Sequence, residues 1–204
     1  MQERYEAIYW AGQHWPSSML NLNDPTDPEQ AAIFEWLQSV LWIVEIPFVS
    51  RPEGYNSQRI NNLTDENIPH SERVAMVKSL ADASDLVWQG IIARNSDKVG
   101  LGLSQTMSAW SRMLPFTVDP YLDESGNEGI DGVSNSQRLR AFWQRYDLPH
   151  SKGCLFSGAG GGFLFVISES PVEGGSKIQI NHSHFCKPFL SDSLRSEPHS
   201  VPFS

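Results

Sequence analysis

Hydrophobic positions change period several times along the chain, and each change predicts an element. Residues 41–48, LWIVEIPF, are apolar almost without interruption and predict a buried strand. Val74, Val77, Leu80, Val87 and Ile91 recur at helical spacing, which predicts a helix from an N-cap at Ser71 to about Arg94. Val99, Leu103, Met107, Trp110 and Leu114 predict a second helix, starting near Ser96 or Asp97 and ending at Pro115. Gly100 and Gly102 lie inside it. They weaken a helix by roughly 1 kcal/mol each relative to alanine, or else mark close packing against a neighbour. Shorter helices are expected over 30–40 and 136–146. The run CLFSGAGGGFLFVIS, residues 154–168, reads as strand, glycines, strand, and KIQINHS, 177–183, alternates as a last strand. Trp88, Trp110 and Trp143 fall on the helical stripes and are expected in the core.

Between these segments lie turn signals. NLNDPTDPEQ, residues 21–30, contains two Asp-Pro steps that terminate helices, and SRPEGYN after the first strand reads as a loop. DPYLDESGNEGIDGVSN is acidic and glycine-rich and predicts a surface loop. The stretch 191–204 has the composition of a disordered tail, and no internal repeat is visible. A strand, paired helices and then several strands predict an α+β fold, an antiparallel four-stranded sheet with helices packed on one face.

Composition narrows the partners. With 204 residues the chain can bury a core as one large domain, or as one domain plus a smaller piece. A formal net charge of −9 argues against non-specific binding to nucleic acid or anionic membranes. It leaves room for a small phosphorylated ligand, because backbone N–H groups of one loop can bind an anion on an acidic protein. The longest apolar runs are too short to span a bilayer, and no basic, apolar-cored leader opens the sequence. A cytoplasmic protein is therefore expected. The sequons at Asn62 and Asn181 then read as chance matches, and the two cysteines as reduced thiols.

The glycine run is the main candidate for chemistry. Glycine inside a strand pattern marks a bulge, a positive φ or a close approach of another group. GAGGG is not a phosphate loop of the Gly-Lys-Ser/Thr type, and FLFVIS after it is a strand, so it is not a dinucleotide fingerprint either. A plain glycine-rich hairpin fits it too. Read with its context, GCLFSGAGGGFLFVI resembles the third motif of the GHMP small-molecule kinases, Gly-Ala-Lys-Leu-Ser-Gly-Ala-Gly-Gly-Gly-Gly. Gly153, Ser157, Gly158, Ala159, Gly160, Gly161 and Gly162 match it position for position, while Phe163 stands where the family has its last glycine. DKVGLGLSQTMSAW, in the preceding helix pair, is similar to the family's Asp…Leu-Gly…Leu-Met stretch.

The resemblance implies a ferredoxin-like C-terminal domain over 36–190, preceded in 1–35 by a remnant of the N-terminal kinase domain. It implies ATP-dependent phosphorylation of a small molecule, with ATP and Mg²⁺ bound mainly by that N-terminal domain. Ser157, Gly158, Ala159, Gly160, Gly161 and Gly162 would line the phosphate and substrate cleft. MQERYEAIYWAGQHW is similar to the Asp-Gln-Tyr stretch of the family's sugar kinases, which implies a sugar or sugar phosphate as acceptor. It places Glu3 at the catalytic carboxylate and Tyr5 at the tyrosine; Glu3 is one methylene longer than the family's Asp. Arg51, just after a strand, is suited to an anionic or polyhydroxyl substrate, and Tyr55 to a sugar face or to plain loop packing. The family's ATP-phosphate loop, Pro-x-x-x-Gly-Leu-Gly-Ser-Ser, does not occur in these residues; GLGLSQT at 100–106 lies in a helical pattern instead. The alternative is a non-catalytic module for substrate binding or assembly. No preference for an oligomeric state emerges.

A metal reading competes. His182, His184 and Cys186 alternate and would share one strand face, and Cys154 could supply a fourth ligand to zinc. No second ligand pair stands at zinc-finger spacing, so no metal site is assigned. Asp82 with Asp85, and Asp123 with Glu124, read as solvated faces.

Overall fold

A computed structural model of the chain describes residues 27–48, 56, 59–122, 131–157 and 162–177. The first element, α1, spans Pro28–Val40 and is continuous across residues 35 and 36. It starts two residues earlier than the pattern predicts. Asp27 caps it, accepting from the N–H groups of Glu29 and Gln30, and Pro28 takes the first helical position. The second Asp-Pro step therefore opens a helix instead of ending one, since proline's fixed φ suits the first turn.

Strand β1 covers Leu41–Glu45, and then two helices follow, α2 at His70–Ile92 and α3 at Ser96–Met113. Ser71 lies inside the first turn of α2 and does not cap it, whereas the Asn95 side chain caps α3 by accepting from Lys98 N–H. The buried seam of α2 is Met76, Ala83 and Gly90, and Val74 and Trp88 are exposed. The pair packs through small residues. A Cβ on Gly90 would lie 2.7 Å from Val99 Cγ2, and one on Gly102 would lie 2.6 Å from Val87 Cγ2. Both glycines in α3 thus mark close packing, as Gly100 shows below.

A short helix, α4 at Pro115–Val118, leads into Asp119 and Tyr121, which are buried. The predicted surface loop therefore begins inside the core. Helix α5, Asn135–Tyr146, is opened by a capping box in which Ser134 accepts from Gln137 N–H and the Gln137 side chain accepts from Ser134 N–H. Strands β2, Gly153–Phe156, and β3, Phe163–Ile167, form a hairpin, and β4 covers Gly175–Lys177. Residues 178–183 of the predicted last strand lie outside the described residues.

The strands make one four-stranded sheet of order β2-β3-β1-β4, antiparallel at each pairing. Register pairs Val44 with Leu164 and Phe156 with Leu164, so pleating sends Trp42, Val44, Cys154, Phe156, Leu164 and Val166 to one face. That face packs against Met107 of α3 and Leu139, Phe142, Trp143 and Tyr146 of α5. The opposite face carries Ile43, Leu155 and Phe165, half-buried, and Glu45 and Phe163, exposed. Its far end is closed where Ile167 meets Val40 and Val99.

Helix α3 also runs along the outer edge of β2. There the Phe156 N–H, turned away from β3, reaches Met107 Sδ at 3.5 Å. Polar ties hold the same contact. Lys152 pairs with Asp97 at 2.6 Å, the Ser104 hydroxyl donates to Asp147 at 2.5 Å, and the Ser96 hydroxyl donates to Glu169. Covering an edge strand in this way removes a row of unpaired backbone groups from competition with other chains.

Candidate functional site

The glycine segment connects β2 to β3, and both of its ends are pinned. Ser157 N–H donates to the Phe163 carbonyl at 2.9 Å, and Ile46 N–H donates to the Gly162 carbonyl at 2.7 Å. The first bond extends the hairpin ladder, and the second ties the segment to the end of β1. Gly158, Ala159, Gly160 and Gly161 lie outside the described residues, as do Glu3, Tyr5, Arg51, Tyr55, His182, His184 and Cys186. Of the sequence-predicted site residues, the structure describes Ser157 and Gly162 and brings them to the same end of the sheet.

The motif's glycines are not equivalent. Gly153 has a φ of +139°, and a Cβ there would lie 2.0 Å from the Gly100 carbonyl oxygen and 2.6 Å from Ser104 Oγ. Gly100 faces it, with its own Cβ position 2.0 Å from the Lys152 carbonyl oxygen. These two glycines let helix and strand backbones touch, a structural duty at both positions. Gly162 is different. Among the described residues nothing lies within 4 Å of its Cβ position, and its φ is not in the left-handed region. Its surroundings therefore give no steric reason for a glycine.

Three side chains share the row next to the segment. Glu45 pairs with Phe163 in register, and Ser157 lies across from Phe163 on the other side. Paired residues of an antiparallel ladder point to the same face, which here is the one without α5. Phe163 is 46% exposed, and neither Glu45 nor Ser157 has a side-chain hydrogen bond or ion pair to a described residue. Sequence reasoning passed over Glu45, because one polar residue in LWIVEIPF looks like an interruption of a buried strand. The available signal was the alternation WIVE, which puts Glu45 on the face of Ile43.

On the helical side of Phe156 lies a cavity of about 220 Å³, bounded by Met107, Val118, Leu139 and Trp143 with Asp119 at its edge. Its exposed walls are largely apolar, with Ser111, Arg140 and Gln144 also lining it. Asp119 is already engaged. Its carboxylate accepts from Tyr121 N–H at 3.1 Å, from the Ser136 hydroxyl, and from Arg140 Nε and Nη2 at 3.2 and 3.1 Å. This node holds the start of α5 against the end of α4.

Cys154 is fully buried among Val44, Phe156 and Leu139, and its thiol donates to the Trp143 carbonyl at 3.9 Å. Burial, with the Asp147 charge adding to it, pushes the thiol well above its ordinary range. A zinc ligand must be a thiolate within reach of the other ligands, so the core position of Cys154 does not suit the role of a fourth ligand. Among the described residues no group of three or more His, Cys, Asp or Glu is arranged to hold a metal ion. No helix among them is long and apolar enough to cross a membrane. No protein-family model, no curated protein and no solved structure matches the chain.

Proposed function

We propose that the chain contributes the C-terminal domain of a GHMP-type small-molecule kinase, acting in ATP-dependent phosphorylation of a sugar or sugar phosphate. The observation that carries this reading is the place of the glycine motif in the topology. It joins β2 to β3 in an antiparallel sheet of order β2-β3-β1-β4, and the path from β1 to β2 runs through a packed helix pair. Such a crossover, with β3 inserted between β1 and β2, resembles the split β-α-β arrangement expected of a ferredoxin-like domain and supports this reading. One departure stands out. The link from β3 to β4, residues 168–174, contains no helix.

In this reading residues 1–35 belong with the N-terminal kinase domain and 36–190 form the C-terminal one. Phosphoryl transfer needs positioning and charge stabilisation more than covalent chemistry. The acceptor hydroxyl oxygen bonds to the γ-phosphorus as the bond to the β–γ bridging oxygen breaks, ADP departs, and the hydroxyl proton passes to the carboxylate proposed at Glu3. Ser157 and residues 158–162 would line the cleft, where backbone N–H groups, and the lack of a Cβ at Gly158, Gly160, Gly161 and Gly162, admit the transferring phosphate. Arg51 meets the substrate. Mg²⁺ and the nucleotide would be bound mainly by the N-terminal domain.

A second reading is a non-catalytic module for substrate binding or assembly. It is favoured by the lack, in these residues, of Pro-x-x-x-Gly-Leu-Gly-Ser-Ser. Sugar-dependent ADP release by the full gene product with Mg²⁺ and ATP separates the two. Turnover above the sugar-free rate supports the kinase. No turnover, with no nucleotide bound in calorimetry, leaves the module.

A further inference from the structure

We infer that the row Glu45–Phe163–Ser157 is a platform for the ring of a neutral sugar, which makes Phe163 a specificity-determining residue for the acceptor. It deepens the proposed kinase and rests on that reading for the choice of a sugar among small polyols. The row itself is argued from geometry. Glu45 and Phe163 are partners in the β1–β3 ladder, and Ser157, the residue after β2, donates its N–H to the Phe163 carbonyl just beyond the last β2–β3 pair. Neighbouring strands lie about 4.8 Å apart, so the row spans about 10 Å from carboxylate to hydroxyl with the aromatic ring between them. The row sits where the glycine segment leaves the sheet, with Gly162 adjacent to Phe163 and no described residue within 4 Å of the Gly162 Cβ position.

The chemistry of these groups is complementary to a sugar. An aromatic face is electron-rich and meets the polarised C–H groups of one side of a sugar ring. A carboxylate offers only acceptors and a serine hydroxyl offers both donor and acceptor, so hydroxyls at the ring edge are met from both sides. The Phe163 ring, 46% exposed, is large and apolar at a strand end where a polar residue is cheaper. The Glu45 charge selects further, since it repels a phosphorylated ring and accepts from a neutral one. The platform therefore favours the free sugar over the sugar phosphate as acceptor.

The test titrates D-mannose, D-galactose and D-glucose, and the 1-phosphate of each, into the full chain, read by amide and Phe ring shifts in NMR without nucleotide. At least one free sugar is expected to shift the Phe163, Glu45 and Ser157 signals, more strongly than its phosphate does. Phe163→Ala and Glu45→Gln should each weaken that binding by about fivefold or more, while Phe163→Trp retains it. A sugar that binds all variants equally, or the absence of any binding sugar, overturns the platform. These outcomes are separable from failure of the kinase reading. Loss of binding in Phe163→Ala without any ATP turnover keeps the platform and removes the kinase. Turnover unchanged in KM and kcat by Phe163→Ala keeps the kinase and removes the platform.

Discussion

Replacing Gly153 with alanine tests why this motif position is a glycine. The substitution meets two obstacles at once. A φ of +139° is a region that residues with a Cβ seldom occupy, and holding one there costs about 1–3 kcal/mol. The new methyl would also lie 2.0 Å from the Gly100 carbonyl oxygen, a backbone atom that no rotamer change can move. Forcing an extra carbon into a packed site costs about 1–3 kcal/mol more. Together they predict a loss of about 2–6 kcal/mol, a large share of a typical stability of about 5–15 kcal/mol. At this chain length that is a fall in Tm of roughly 4–24 °C.

Two controls separate the terms. Gly132 has a φ of +75° with no described residue within 4 Å, so Gly132→Ala keeps only the backbone cost. Gly162→Ala carries neither cost and should stay within about 0.5 kcal/mol of the parent. Urea unfolding followed by tryptophan fluorescence gives all three. A Gly153→Ala protein as stable as Gly162→Ala would refute the close approach of α3 and β2 as the reason for the glycine.

Other consequences concern the core and its caps. Because burial raises the Cys154 pKa, the folded state favours the protonated thiol, so stability is full below the ordinary thiol pKa of about 8.5 and declines above it. The decline approaches about 1.4 kcal/mol per pH unit, and should vanish from urea melts of Cys154→Ala between pH 9 and pH 10, taken as about that range. Ser134→Ala removes the capping box of α5 and should cost about 1 kcal/mol, read by the same melts. Asp119→Ala strands the Tyr121 N–H and the Ser136 hydroxyl and should cost about 2 kcal/mol, with little recovered by removing Arg140 as well, since that side chain is largely exposed.

Much of the fold is written in the hydrophobic period. The strand after α1, the helix pair and the hairpin around the glycines all fall where apolar runs and helical spacing put them. What the pattern misplaced has physical causes. The seam of α2 is built on Ala83 and Gly90, which add little hydrophobicity, so the apolar stripe pointed toward Val74 instead. The loop after α4 looked solvated because its composition is acidic, yet Tyr121 buries its ring and Asp119 is neutralised by Arg140. The true start of α5 carried a signal, Ser134 followed three residues later by Gln137. The candidate site was legible only in part. Its glycines stand out in one dimension, but the row of Glu45, Phe163 and Ser157 is assembled from two strands and the residue that follows a third, and exists only once the register is known.

If the glycine segment serves phosphoryl transfer and is not simply a hairpin, its role must appear where the fold makes no demand on it. Gly162 is that position. The most direct measurement is sugar-dependent ADP release by the full gene product, compared between the parent and Gly162→Ala at matched Tm. The kinase reading predicts turnover in the parent and a drop of about tenfold or more in the variant, from a methyl group placed at the transfer site. Equal rates in the two proteins, or no sugar-dependent release in either, would contradict it.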